Sequence, residues 1–443
     1  MVTTTSMRKT LPLIALAALA IASPALAQKG GKLPAEAFTA GGIPVILSPA
    51  DNEIVSVIVG LEGGLAGGET NNPALAEFTS DVITSSGSGA ISKEELRKFL
   101  ARTSTTITGG GDYRGMNFTM TTTRSNFDQA WTVLASMLTS PRFDGVEYRN
   151  IMGRRSAEVK RRWSNPENYA SIIADSLVKL GNPVLGRSIR LEDVEGVSIP
   201  MMEEFAKRTA ERSRMLVVVV GNISQNDVKK KLEAFSSLPA GRYTRPKLPP
   251  LAAAGKPTVE LVDRPGSPTT YVQTSFAGPA MDNDEFWALQ VGLNHLRGIL
   301  FEELRTKRNL TYAPGSYLTS TLGQSRGVLS VSSTRPDSAI AIMYQELDRM
   351  RRGEIDEKEL ESSKQVFITS LYMRQMTNSG TATALYAAQR NTGDWRRAFS
   401  LDAINAVNKA RVQKAIATYA RNLQVGIVGS REKVTVDKYK YQQ

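Results

Sequence analysis

Met215-Leu216-Val217-Val218-Val219-Val220-Gly221 is an unbroken apolar run ending at a glycine. It reads as a short buried strand stopped by Gly221. The chain repeats it. Leu423-Gln424-Val425-Gly426-Ile427-Val428-Gly429 has the same shape at an offset of 208. The residues before each run repeat as well. Leu191, Val194, Val197, Met202 and Ala210 recur as Leu401, Ile404, Val407, Val412 and Ala420, all displaced by 210. Five matches at one displacement, in front of the same strand, describe a duplicated unit rather than chance amphipathicity.

The beginnings of the halves agree too. Val45-Ile46-Leu47, a turn at Pro49 to Asn52 and Ile54 to Val59 read as two strands. Val259 to Val262, a turn at Pro265 to Pro268 and Thr270 to Phe276 read the same way. Helices follow over Pro73 to Ser85 and Asn283 to Lys307. Each leads to a hairpin. Thr105 to Thr108 and Met116 to Thr123 flank a Gly-rich turn at Gly109-Gly110-Gly111; Ser316 to Thr321 and Val328 to Ser333 flank another. Further helices are expected near Phe127 to Leu138 and Asp337 to Arg352. This order predicts an α+β fold of two homologous sheet-plus-helices domains, with helices on one sheet face. Residues 239–256 are Pro- and Ala-rich and read as a linker between domains at 28–238 and 257–443.

The length of 443 residues suits two domains of about 200. The absence of Cys excludes disulfides, thiolate metal sites and a Cys nucleophile. His295, the only histidine, excludes any site within the chain that needs two imidazoles. Arg8 and Lys9, the apolar stretch Leu11 to Ala22 and Ala25-Leu26-Ala27 have the pattern of a secretory signal peptide over 1–27. Twelve apolar residues are too few to span about 30 Å of hydrocarbon. The expected destination is the periplasm, with no membrane or nucleic-acid partner. The net charge of +12 gathers in Arg154, Arg155, Lys160, Arg161 and Arg162, in Lys229 to Lys231, and in Arg349, Arg351 and Arg352. These read as solvated helix faces, with attraction for acidic peptides as a second reading.

The most informative segment is Leu304-Arg305-Thr306-Lys307-Arg308-Asn309-Leu310-Thr311-Tyr312. Leu289, Leu293, Leu296, Leu300 and Leu304 form one helical face before it. Asn309 is a natural stop. Arg305 on the last turn and Tyr312 at the hairpin entry could face one space. There a guanidinium and a phenol could hold a peptide carbonyl and a developing oxyanion. A helix-terminal Arg beside a half-buried Tyr is the plainer alternative.

Leu300-Phe301-x-x-Leu304-Arg305-x-Lys307-x-x-Leu310-x-Tyr312 resembles the second-domain signature of the pitrilysin/insulinase family of zinc peptidases. The duplicated half and the export signal suit its small periplasmic members, so the resemblance implies the duplicated pitrilysin/processing-peptidase-like fold. Active members carry H-x-x-E-H on the first-domain helix, with a later Glu as third ligand. In register here is Glu77-Phe78-Thr79-Ser80-Asp81, so Glu77, Ser80 and Asp81 occupy degenerate positions; Glu158 lies where the third ligand is expected. Glu77, Asp81 and Glu158 could in principle bind a hard cation through oxygen, but three carboxylates placed by descent need not converge, and no bound metal is expected. The combination implies the non-catalytic subunit of a heterodimer. A homologous partner would bring zinc and base, while this chain supplies Arg305, Tyr312 and half of a peptide chamber. The rival expectation is a peptide-binding or assembly protein of the same fold, without proteolysis.

Other motifs are weaker. Gly323-Gln324-Ser325-Arg326-Gly327 matches a nucleophile elbow. Strand residues lie on both sides of it, though, and an elbow needs a helix after it. Gly109 to Gly111 lacks the Gly-Lys-Ser/Thr of a phosphate loop. His295 is expected to be packed or partly exposed beside the leucine face.

Overall fold

A computed structural model describes residues 35–399 and 401–442. The expected signal peptide lies outside them. Among the described residues no helix is long and apolar enough to cross a membrane.

The first half contributes β1 (Glu36–Ala40), β2 (Ile43–Pro49), β3 (Ile54–Glu62), β4 (Thr106–Asp112), β5 (Gly115–Thr123) and β6 (Met215–Gly221). Its helices are α1 (Leu75–Ser86), α2 (Lys93–Thr103), α3 (Phe127–Thr139), α4 (Gly145–Ser164), α5 (Pro166–Val178), α6 (Leu191–Glu195), α7 (Ile199–Thr209) and α8 (Gln225–Leu232). The second half has β7 (Thr258–Asp263), β8 (Thr270–Ala277), β9 (Gly315–Thr321), β10 (Gln324–Ser333) and β11 (Gln424–Gly429). With them come α9 (Phe286–Leu300), α10 (Pro336–Arg351), α11 (Glu357–Arg374), α12 (Asn378–Thr392), α13 (Leu401–Asn405) and α14 (Lys409–Tyr419).

The strand orders are β1-β2-β6-β3-β5-β4 and β7-β11-β8-β10-β9. Without the added edge strand β1, the sheets are topologically identical, as the displaced repeat predicts. Strand β6 runs parallel to β2 and antiparallel to β3, as β11 does to β7 and β8. One parallel pair per sheet therefore joins the expected hairpins.

The expectation of helices on one face needs correction. Val45, Leu47, Val55, Val57, Val217 and Val219 face the main core of the first half. Their alternates Ile46, Ile58, Leu216, Val218 and Val220 face Ala382, Leu385 and Tyr386 of α12, a helix from the second half. The exchange is mutual. Helix α5 from the first half packs Ala170 and Ile173 on Val428 of the second sheet. A Cβ on Gly426 would stand 2.2 Å from the Ala170 carbonyl oxygen, so only glycine lets α5 come this close. The runs in β6 and β11 lack alternation because both of their faces are covered.

A second correction concerns Gly109 to Gly111, which lie within β4 rather than at its turn. A Cβ at Gly109 or Gly111 would stand 2.3 Å from the Ser80 carbonyl oxygen or 2.5 Å from the Glu77 nitrogen. The glycines allow the α1 backbone to lie directly on the strand. Residues 239–257 form no regular element.

Candidate functional site

Helix α1 buries Leu75, Phe78, Val82 and Ile83, which leaves Glu77 and Asp81, one turn apart, along one edge. Helix α4 packs beside it, and its residues Arg155 and Glu158 are also one turn apart. The guanidinium of Arg155 stands among all three carboxylates. Its Nη1 lies 2.9 Å from Glu77 Oε1 and 3.3 Å from Glu158 Oε2, and its Nη2 lies 2.7 Å from Asp81 Oδ2. Arg155 Nε donates to the same Asp81 oxygen at 3.0 Å, and Arg154 Nη2 adds a bond at 3.1 Å. Ser80 is fully buried, and its hydroxyl donates to the Glu77 carbonyl within its own helix. Burial pushes the Glu77 carboxyl up, Arg155 opposes this, and the neighbouring Asp81 and Glu158 charges add to the rise.

These residues do not fit a zinc ion. The donor set lacks imidazole, and a permanent cation already sits among its carboxylates. A hard cation would accept oxygen ligands, but Arg155 already pairs with all three carboxylates and takes its place. Arg154 and Arg155 were also expected on a solvated face. Arg155 instead turns into this cluster, while Arg154 is exposed as expected yet still pairs with Asp81, and Lys160, Arg161 and Arg162 further along α4 are exposed.

The second predicted pair does come together. After α9 the chain makes a π-helical turn over Phe301–Thr306. Leu304 and Leu310 are buried and anchor the two ends of the reversal. Asn309 adopts φ 48°, the left-handed conformation that ends the helix, and its N–H donates to the Arg305 carbonyl. The Arg305 guanidinium carbon then lies 4.3 Å from the Tyr312 ring centre and 4.9 Å from that of Phe301. Tyr312 is 77% exposed and lies three residues before β9, not half-buried at the strand entry. A planar cation held between two rings and a phenol open to solvent provide one cationic and one neutral hydrogen-bond donor.

His295 is buried; its Nδ1 lies 3.0 Å from Ser363 Oγ, and burial lowers its pKa. Ser325 lies inside β10, is fully buried, and donates its hydroxyl to the Pro279 carbonyl at 2.5 Å. That removes the nucleophile reading.

Arg155 is the residue that sequence reasoning missed. The available signal was its place three residues before Glu158 on one helix face. Also unforeseen was an ionic cluster between the halves. Arg390 of α12 binds Asp112 through two bonds of 2.6 and 2.8 Å and approaches Glu62 at 3.3 Å. Arg245 reaches Glu62 at 2.9 Å, and Arg114 donates to the Leu322 carbonyl at 2.8 Å.

Residues 197–367 match the family model described as the peptidase M16 inactive domain. That stretch contains Arg305 and Tyr312. No curated protein matches the chain in sequence. Solved structures do match. A peptidase M16 inactive domain from Pseudomonas fluorescens superposes with a TM-score of 0.80 at 16% identity, over 90% of this chain and 98% of that one. A protease from Helicobacter pylori gives 0.78 at 14% identity, over 89% and 99%. The periplasmic protease PqqL from Escherichia coli gives 0.74 at 14% identity; this chain is 90% covered and spans 47% of that longer protein. Over residues 197–367 the chain is thus similar to the peptidase M16 inactive domain, and its described residues share the M16 fold of these structures.

Proposed function

We propose that this chain is the zinc-free subunit of a two-chain periplasmic peptidase, acting on peptides beside a homologous, zinc-bearing partner. One contrast carries the reading. The Arg155 guanidinium stands among the carboxylates at the degenerate metal positions, while Arg305 and Tyr312 are kept together with the Tyr312 phenol open to solvent. In this assembly the Tyr312 phenol donates a hydrogen bond to the oxyanion that develops on the scissile carbonyl. Arg305, oriented by the Phe301 and Tyr312 rings, holds a neighbouring carbonyl of the peptide. The partner supplies the metal and the base. Removing one such donor typically costs about 10²–10³ in rate.

The test is peptide hydrolysis by this chain alone, by the partner alone and by the mixture. Activity only in the mixture is expected. Equal activity of the partner alone and of the mixture would overturn the proposal.

A further inference from the structure

Beyond the carboxylate cluster, the last turn of α4 borders an open cleft of about 660 Å³. Its floor is apolar, made by Val159, Trp163 and Leu191. Trp163 and Leu191 pack on the core of the first half yet keep part of their surface open. Tyr169 steadies the indole through a tilted ring contact at 5.7 Å. Val159 also lines the recess that contains Glu77 and Arg155, so the cleft adjoins the degenerate metal positions.

The rim is net basic. Lys160, Arg190 and Glu192 line it and are all exposed. Among the described residues Lys160 makes no ion pair, and neither do its neighbours Arg161 and Arg162. Arg190 has only a loose 3.7 Å approach to Glu192, in water on both sides. This differs from the rest of α4, where Arg154 and Arg155 are committed to carboxylates of their own chain. An unpaired Lys160 and a weakly paired Arg190, set around a part-exposed indole, favour a ligand that brings an apolar side chain and its own carboxylates.

We propose that this cleft seats an aromatic or large aliphatic side chain of an extended acidic peptide, whose adjacent carboxylates pair with Lys160 and Arg190. This rests on the reading of the chain as half of a peptide chamber, and it assigns the substrate class. A basic peptide would meet like charges at both rim positions.

The experiment uses the full chain and two dye-labelled peptides, each with a central Phe, flanked either by Asp and Glu or by Lys. Binding is read by fluorescence anisotropy at about 50 mM salt, where surface charges are weakly screened. The acidic peptide is expected to bind at least tenfold more tightly, with the preference shrinking as salt rises. Lys160→Glu with Arg190→Glu, both at exposed positions, should reverse the preference and leave thermal unfolding unchanged. Acidic-peptide binding that survives the double reversal overturns the cleft assignment and leaves the chamber reading intact. Failure of the wild-type chain to bind either peptide, alone or with a zinc-bearing partner, overturns both.

Discussion

Replacing Arg155 with Met tests whether an internal cation holds the degenerate metal positions together. Met keeps much of the aliphatic length and removes the charge. Asp81 is only 12% exposed in its side chain and would retain just Arg154, itself 64% exposed. Breaking a fully buried pair from one side costs about 3–5 kcal/mol. Glu77 and Glu158 are open enough to water to discount their shares, which leaves about 2–3 kcal/mol for the cluster. Glu77 adds a pH signature. Its pKa is already raised by burial, and loss of Arg155 raises it further. A carboxyl whose folded pKa lies above its unfolded one is penalised when ionised. The deficit should therefore be complete at pH 7 and shrink as the pH falls towards 4. Urea unfolding followed by circular dichroism at several pH values measures it, and Arg155→Met with Asp81→Asn should recover part of the loss. A variant as stable as wild type at pH 7, or a deficit that ignores pH, would refute the internal-cation account.

Other outcomes follow from particular contacts. Tyr312→Phe in the two-chain mixture should lower kcat at least tenfold with assembly intact, and should leave stability within about 0.5 kcal/mol, because the side chain is exposed. Gly426→Ala forces a Cβ to 2.2 Å from the Ala170 carbonyl oxygen, and should cost at least about 1–3 kcal/mol in denaturant unfolding. At Asp337, burial pushes the carboxyl up. Hydrogen bonds from Thr435, Lys438 and Tyr439 outweigh that and bring its pKa to about 2. Asp337→Asn should thus cost about 2 kcal/mol at pH 7. The gap to wild type should narrow as the pH falls from 5 towards 2, because the native carboxylate is then protonated.

The repeat was legible because buried strands and the helix before each of them leave a displaced hydrophobic pattern. The edge strand β1 left none, since Glu36 to Ala40 is short and mostly open to water. Helix α2 was readable in the Ser92 and Glu95 capping box and in Leu96, Phe99 and Leu100 at helical spacing, but it has no counterpart in the second half and so fell outside the repeat. Gly109 to Gly111 give a local turn signal. Only the approach of α1, fixed by tertiary packing, makes them strand residues. The Arg305 and Tyr312 pairing was legible because only six residues of chain separate them. Arg155 was not, because its partners at 77 and 81 lie on another helix and a run of cations looks solvated in one dimension.

The same distinction bears on how a peptide would gain access. A Pro-rich segment at 239–256 suggests a hinge when read alone. In the fold that segment is tied down along its length. Arg245 pairs with Glu62 and donates to the Arg390 carbonyl, Asn182 donates to the Pro249 carbonyl, and Asn422 donates to the Ala254 carbonyl. Separating the halves would also strip α12 from the first sheet and α5 from the second. That exposes two apolar faces and leaves the buried Arg390 without Asp112 and Glu62. Stranding one such charge alone costs about 3–5 kcal/mol. Opening within the chain is thus a partial unfolding rather than a hinge motion. In the proposed two-chain assembly, the peptide would therefore enter by displacement of this chain against its partner rather than by separation of its own halves.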